Sequence, residues 1–95
     1  MNQREAMRET FDLAVKNGMD NCLVETVGCD YTHLIDMYER ILVADIDPDQ
    51  KPFSEVKLGR WLGWIQCAVV AAGFGSLEDM KQINKKWRAD DATTS

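Results

Sequence analysis

The chain of 95 residues is 45% hydrophobic and carries a formal net charge of −5 at pH 7. This length and apolar content predict one compact domain, marginally stable as a monomer, and they exclude a disordered chain. An acidic chain gains nothing from the release of counterions from DNA, so we expect no direct nucleic-acid binding.

The start of the chain and its cysteines indicate a compartment. Met1 leads directly into polar residues, without the basic and then apolar pattern of a signal segment. Three cysteines are an odd number without the spacing of a disulfide framework, which favours free thiols in a reducing cytoplasm. The most apolar stretch, residues 61–74, is shorter than the ~20 residues that a bilayer requires. We therefore expect a cytoplasmic protein with no membrane contact.

Two amphipathic helices are predicted in the first half of the chain. Residues 2–17 show the helical apolar interval, and Gly18 suits the position after a helix end. Residues 31–44 show the same interval, with Asp30 placed as the N-cap. The segment 45–52 contains two prolines and ends this helix, because the residue before a proline avoids helical geometry.

The segment at residues 19–29, between these helices, is ambiguous. Its β-branched residues suit a short strand, whereas Asp20 as a cap and Gly28 as a stop suit a short helix. A lone strand would have no partner in this chain, so we predict a helix there.

Two more helices are predicted in the second half. Residues 54–72 form the first, with Ser54 as its N-cap and Gly73 just beyond its end. Apolar residues occupy most of its circumference, which is typical of a helix buried between other helices. The last helix begins at Ser76, where Ser-Leu-Glu-Asp is close to a capping box.

The predicted fold is all-α, a compact bundle of four to five helices around a central buried helix at about 54–72. Residues 1–88 form the single domain. Residues 89–95 have nothing to bury and are expected to fray.

Gly59 and Gly63 lie inside the central helix, where each glycine costs about 1 kcal/mol relative to alanine. Their four-residue spacing puts them on one side of the helix, where a second backbone could approach closely. We expect a neighbouring helix of the same chain there; a second copy, forming a homodimer, is the alternative.

Lys57, Arg60 and Trp64 form a stripe beside these glycines and are the first candidate binding residues. The spacing of Arg60 and Trp64 permits a cation–π contact. An ammonium, a guanidinium and an indole could receive an anionic ligand or an acidic partner loop, and an exposed Trp64 would be a strong interface anchor. The structural alternative is that Lys57 and Arg60 form ion pairs with the acidic residues of the segment 45–49 and that Trp64 belongs to the core.

Acidic residues form the second candidate surface. Residues 1–51 hold five basic and eleven acidic side chains, whereas residues 52–95 hold six basic and five acidic. Asp36, Asp45, Asp47 and Asp49 are the acids that we include among the candidate partner-binding residues. They would suit a basic partner surface, although solvated surface charge is the simpler explanation.

No pattern in the chain predicts catalysis, a metal or a cofactor. His33 is the only histidine and has no nucleophile or second base that the sequence places beside it. The alternating acids of residues 45–49 begin like a calcium loop, but Gln50 and Val56 stand where glycine and glutamate are needed. We therefore predict a protein that is not an enzyme and has no cofactor.

The segment Lys57-Leu-Gly-Arg-Trp-Leu-Gly-Trp-Ile-Gln66, followed by Gly73 and the capped helix from Ser76, resembles small accessory proteins of tailed phages and prophages. Those proteins carry a Lys-x-x-Arg-Trp-Leu-Gly-x-x-Gln helix before a second capped helix, and the resemblance covers about residues 45–88. It implies a phage-encoded protein in the cytoplasm of a bacterial host. Such proteins often bind and block host factors, as anti-CRISPR and other counter-defence proteins do. The motif carries no known chemistry, so it assigns no functional residue.

Three functions are compatible with these observations. The first is a non-enzymatic inhibitor that occupies the surface of a host defence protein or complex, through an acidic patch or through the Trp64 stripe. The second is an oligomeric sponge that sequesters a nucleotide signal. The third is a structural or assembly protein that associates with itself.

Overall fold

Four α-helices and one short 3₁₀ helix follow one another along the chain. The computed structural model describes the backbone of residues 1–94 and the side chains of residues 1–88. The helices are listed here in chain order: α1, Gln3–Lys16; the 3₁₀ helix, Met19–Asn21; α2, Tyr31–Ile46; α3, Glu55–Ala71; and α4, Leu77–Thr94. No strand occurs within residues 1–94, so the predicted all-α bundle is confirmed. The predicted frayed tail, residues 89–95, lies outside the residues described in full.

Side-chain caps define the starts of α2, α3 and α4, as their sequences predict. The carboxylate of Asp30 and the hydroxyl of Ser54 each accept the backbone N–H three residues later, at 3.1 and 3.2 Å. At α4, the N–H of Ser76 donates to the carboxylate of Asp79 at 2.9 Å, and the N–H of Asp79 donates to the Ser76 hydroxyl at 3.0 Å. These two bonds form a capping box. The bonds to Ser76 also lower the pKa of Asp79 below its ordinary value of 3.8.

Helix α1 touches every other helix of the chain. It packs directly against α3 and α4. Its Phe11 ring meets the rings of Tyr31 and Tyr38 on α2, with centroids 6.2 and 5.4 Å apart. The largest fully buried apolar side chains come from α1 itself, the 3₁₀ helix, α2 and α3: Met7, Met19, Leu34, Ile41, Leu58, Ile65 and Val69. Helix α4 adds Met80 and Ile83, which are slightly less buried.

The helix predicted at residues 54–72 is present as α3, and its burial is one-sided. Its buried residues, on the side that faces α1, are Leu58, Leu62, Ile65, Gln66, Ala68 and Val69. Trp64, Cys67 and Ala71 are exposed. The expectation that apolar residues bury this helix on all sides is therefore wrong. The periodicity identified the apolar positions of α3 correctly. It does not show that other helices of the described chain cover only one side of α3.

The expectation that a helix of the same chain packs against Gly59 and Gly63 is also wrong. A Cβ atom added at Gly63 would meet no other atom within 4 Å. One added at Gly59 would meet only the side-chain oxygen of Gln3, at 3.3 Å. Both glycines are exposed: Gly59 lies beside the side chain of Gln3 of α1, and Gly63 lines an open pocket to which Met80 and Lys81 of α4 also belong.

The predicted helix at residues 19–29 is limited to the 3₁₀ turn Met19–Asn21. Met19 is fully buried, whereas the chain that follows is non-helical as far as Asp30. Leu23 and Val27 are 88% and 94% exposed. A helix here would gain little from tertiary packing, which supplies most helix stability in proteins. The β-branched residues of this segment also have a low intrinsic propensity for helix formation.

A buried polar contact joins helices α1, α3 and α4. The side-chain amides of Gln66 on α3 and Asn84 on α4 exchange two hydrogen bonds, at 2.9 and 3.0 Å. Gln66 also donates to the hydroxyl of Thr10 at 3.3 Å, and that hydroxyl donates to the carbonyl of Ala6 at 2.7 Å. Gln66 thereby finds partners for both ends of its amide in a buried position.

Candidate functional site

An open groove runs between α2 and α3, and we call it the α2–α3 groove. It has two adjoining parts, of about 650 and 510 Å³. Asp36, Arg40 and Trp61 line both parts, so the two are continuous. The groove is open because the backbones of α2 and α3 approach each other little, while α2 packs on the 3₁₀ helix and meets α1 through the ring of Phe11.

Trp64 stands at one end of the groove in a fixed position. The residue is 49% exposed, and its indole N–H donates to the carbonyl of Gly28 at 2.9 Å. Gly28 has a φ of +81°, a backbone conformation that residues other than glycine adopt only with strain. A Cβ there would lie 3.6 Å from the Trp64 ring and 3.9 Å from the imidazole of His33. The loop before α2 therefore holds the indole in place while leaving half of it exposed.

Lys57 extends from α3 at the other end of the groove. Its ammonium is 4.2 Å from the centroid of the Phe53 ring and 5.3 Å from that of Trp61. The two rings meet edge to face, with their centroids 4.7 Å apart. The cation–π contact of α3 is thus made by Lys57, in place of the pairing of Arg60 with Trp64 that their spacing permits.

Arg60 is an exposed residue of α3 that lines the groove. Among the residues with described side chains, it has no hydrogen bond, ion pair or ring contact. Arg40, on the facing helix, is paired with Asp36 at 2.8 Å within α2. Glu39 lies beside them on the same wall. The α3 wall of the groove is therefore cationic, and the α2 wall carries the carboxylates.

The candidate acids divide between the groove and other places. Asp36 lines the groove together with Lys57, Arg60 and Trp64. Asp45 accepts two hydrogen bonds from Arg4 of α1, at 2.6 and 2.7 Å, and this pairing raises the pKa of Arg4.

The acids after α2 belong to a turn. Asp47 accepts the backbone N–H of Asp49 and the side-chain amide of Gln50, both at 2.9 Å. The two carboxylates of Asp45 and Asp47 are thus used within the chain, and neither they nor Asp49 line the groove. These three acids therefore lie apart from the groove residues, and their contact with a partner stays a prediction.

Several groove residues and the exposed loop were missed from the sequence. His33, Met37 and Arg40 line the groove beside Asp36. Their spacing, at intervals of three, one and three, is that of one helical face, so the pattern could have shown it. Leu23 and Val27, in the loop that supports Trp64, carry no comparable signal, because exposure of apolar residues in a loop cannot be read from periodicity.

The groove residues include one histidine, carboxylates and cations. His33 is its only imidazole, and no nucleophile lies beside it among the groove residues. Within the described part of the chain, no three His, Cys, Asp or Glu side chains are grouped to hold a metal ion. All three cysteines are free thiols. The described helices include none with both the length and the hydropathy for a membrane span.

The chain is thus a small all-α protein with an open groove lined by aromatic and charged side chains. Comparisons of the chain with protein-family models, with curated proteins and with solved structures found no match.

Proposed function

We propose that the chain is a non-enzymatic binding protein, encoded by a phage or prophage, which inhibits a host protein or complex by occupying its surface. The single observation that carries this proposal is the presentation of Trp64. Its indole is held half exposed at the end of the α2–α3 groove by a hydrogen bond to the loop that contains Gly28. Tryptophan and arginine are the residues that most often dominate protein interfaces.

The exposed loop favours a protein as the partner over a small molecule. Leu23 and Val27 are almost fully exposed, and Val27 directly precedes the glycine that accepts the Trp64 hydrogen bond. Exposed apolar side chains next to an aromatic groove are typical of macromolecular contact surfaces. A small ligand in the groove would leave this loop uncovered.

The host-directed role rests on the resemblance of residues 45–88 to phage accessory proteins. Proteins of that kind act in the bacterial cytoplasm, which agrees with three free thiols and with an acidic chain. Blocking a surface requires affinity and a stable fold and no reactive group. Host defence complexes are the class of target that this context favours.

Capture from a lysate of the bacterial host tests the proposal. The tagged chain is expected to retain one host protein or complex in near-stoichiometric amount, identified by mass spectrometry, and to inhibit its activity when added to it. Trp64→Ala is expected to lose both effects while retaining its helical circular dichroism. Val56→Ala, which changes another exposed apolar residue of α3, is the matched control. Absence of a stoichiometric host partner, or equal capture by both variants, contradicts the proposal.

A nucleotide sponge is the second candidate, because Trp64 and Arg60 lie together on one wall of the groove. An indole can stack on a base, and a guanidinium can pair with phosphate. Cyclic nucleotides would then raise the melting temperature of the wild-type chain and fail to raise that of Arg60→Glu. No shift across a panel of cyclic mono- and dinucleotides removes this candidate.

A further inference from the structure

We propose that the α2–α3 groove receives an acidic segment of the partner protein, with its carboxylates against the α3 wall and an apolar side chain on the aromatic floor. This inference rests on the proposed function, since it names the chemistry of the partner that the groove would bind. Charge complementarity carries it.

The cations of the α3 wall are left without carboxylate partners in a chain that is rich in carboxylates. The sequence has sixteen acidic and eleven basic side chains, and Arg4, Arg8 and Arg40 each form an ion pair within the chain. Arg60 forms none with the described residues, and Lys57 contacts only aromatic rings. A protein with an excess of acids thus presents two cations at the one surface that also exposes a tryptophan.

The local charge of the groove is opposite in sign to that of the whole protein. Its lining includes the three cations Lys57, Arg60 and Arg40 against the two carboxylates of Asp36 and Glu39. An acidic segment would therefore be attracted to this surface and repelled by the rest of the chain, which has a net charge of −5. Such a pattern guides a partner to one place and sets its orientation.

The two walls also set which way the segment faces. Asp36 and Glu39 lie on α2, opposite the unpaired cation Arg60 on α3. On the α2 side Arg40 is already paired with Asp36, so a partner carboxylate there would compete for it and lie beside like charges. On the α3 side it would meet Arg60, whose guanidinium can bind a carboxylate through two hydrogen bonds.

The floor is built to hold an apolar side chain between these walls. Met37, Trp61 and Phe53 provide its apolar surface, and the ammonium of Lys57 lies over two of these rings. This stacking limits the freedom of Lys57 before a partner arrives, and preorganised groups lose less entropy on binding. From His33 to Val43 the groove follows ten residues of helix, or about 15 Å at 1.5 Å per residue. An extended segment of about four or five residues matches that length.

Selection from a random dodecapeptide display library tests the inference. The immobilised full chain is expected to enrich peptides that combine several Asp or Glu residues with an apolar or aromatic residue. Synthetic copies of the enriched peptides are then measured by fluorescence anisotropy. Arg60→Glu is expected to weaken their binding by about tenfold or more, because it puts like charges together. Lys85→Glu makes the same charge change at an exposed position of α4, outside the groove, and is expected to leave the affinity within about twofold.

Any of three results would overturn the inference: enrichment of basic or uncharged peptides, failure to enrich any peptide, or equal binding of the peptides to Arg60→Glu and to the wild type. Arg60 makes no contact that supports the described fold, so its substitution is not expected to unfold the chain. The outcome is also separable from that of the lysate capture. Acidic peptides that bind in an Arg60-dependent way support the groove assignment even if no host protein is captured, and a captured host protein that binds Arg60→Glu equally well contradicts the groove assignment alone.

Discussion

Replacing Gly63 with alanine is expected to stabilise the protein, although Gly63 is one of the two glycines that most suggest a close contact. The residue lies inside α3, on its exposed side, and a Cβ atom there would meet no other atom within 4 Å. The substitution therefore introduces no clash within the described chain. What remains is the difference in intrinsic helix propensity between the two residues.

That difference sets the size of the effect. Glycine in a helix interior is about 0.8–1 kcal/mol less favourable than alanine, because it loses more backbone freedom on folding. The free energy of unfolding is thus expected to rise by about 0.8–1 kcal/mol. For a domain of this size, each kcal/mol corresponds to roughly 4–8 °C in melting temperature. Gly59→Ala is expected to gain less, because its Cβ would press on the side chain of Gln3 at 3.3 Å.

Urea denaturation followed by circular dichroism, with the molecular mass measured in parallel, checks this prediction. Gly28→Ala provides the opposite control, because the φ of +81° at Gly28 makes any side chain cost roughly 1–2 kcal/mol. Loss of stability in Gly63→Ala, accompanied by a fall in mass from dimer to monomer, would refute the reasoning. It would show that a second copy packs against the glycine side of α3.

Three further substitutions test other contacts. Gln66→Leu is expected to lower the free energy of unfolding, measured by urea denaturation, by about 1–3 kcal/mol, because it leaves the amide of Asn84 without its two hydrogen bonds. Adding Asn84→Leu is expected to recover part of this loss. Arg4→Ala is expected to lower the free energy of unfolding by no more than about 1 kcal/mol, because the ion pair of Arg4 with Asp45 is partly exposed. The loss is expected to be smaller at high salt, and a double-mutant cycle of Arg4 and Asp45 measures the energy of the pair itself. Asp79 has a lowered pKa in the folded state, so its stabilisation is complete above the ordinary pKa of 3.8 and is lost as pH falls through the lower folded value. Thermal melts at acid pH are expected to show a weaker pH dependence in Asp79→Asn; an unchanged dependence would contradict this assignment.

The helices were predictable because their signals are local. Asp30, Ser54 and Ser76 are short polar residues placed before apolar-periodic segments, and each makes the capping bond that its type favours. Such contacts span three residues and need no knowledge of the tertiary structure. The same holds for the end of α2, which stops at Ile46 just before the Asp-Pro turn.

The exposed side of α3 was not predictable in this way. Periodicity shows which side chains share a face, but it does not show how many faces other helices cover. Trp64, Cys67 and Ala71 are apolar by composition and lie outside because α1 packs against only one side of α3. The position of Trp64 depends on its bond to Gly28, 36 residues earlier in the chain, which no local pattern reveals.

The acidic half of the candidate site was partly decidable from the sequence. The helix predicted at residues 31–44 ends one residue before Asp45, whereas α2 continues to Ile46. Asp36 and Asp45 are nine residues apart, or about two and a half helical turns, so a helix that contains both points them to opposite sides. In the structure Asp36 lies in the groove and Asp45 pairs with Arg4 of α1. The extra helical residues and the identity of the covered side required the structure.

The separation of these two sides explains why the groove can be altered without unfolding the chain. On α2, the packing side carries Tyr31 and Tyr38, which meet Phe11 of α1, and burial raises the pKa of both tyrosine hydroxyls. The groove side carries Asp36 and Arg40, which pair only with each other along the helix surface. Surface pairs of this kind contribute little to stability. The residues that would contact a partner are thus largely distinct from those that hold α2 in place, so a loss of binding on their substitution reports on the contact itself.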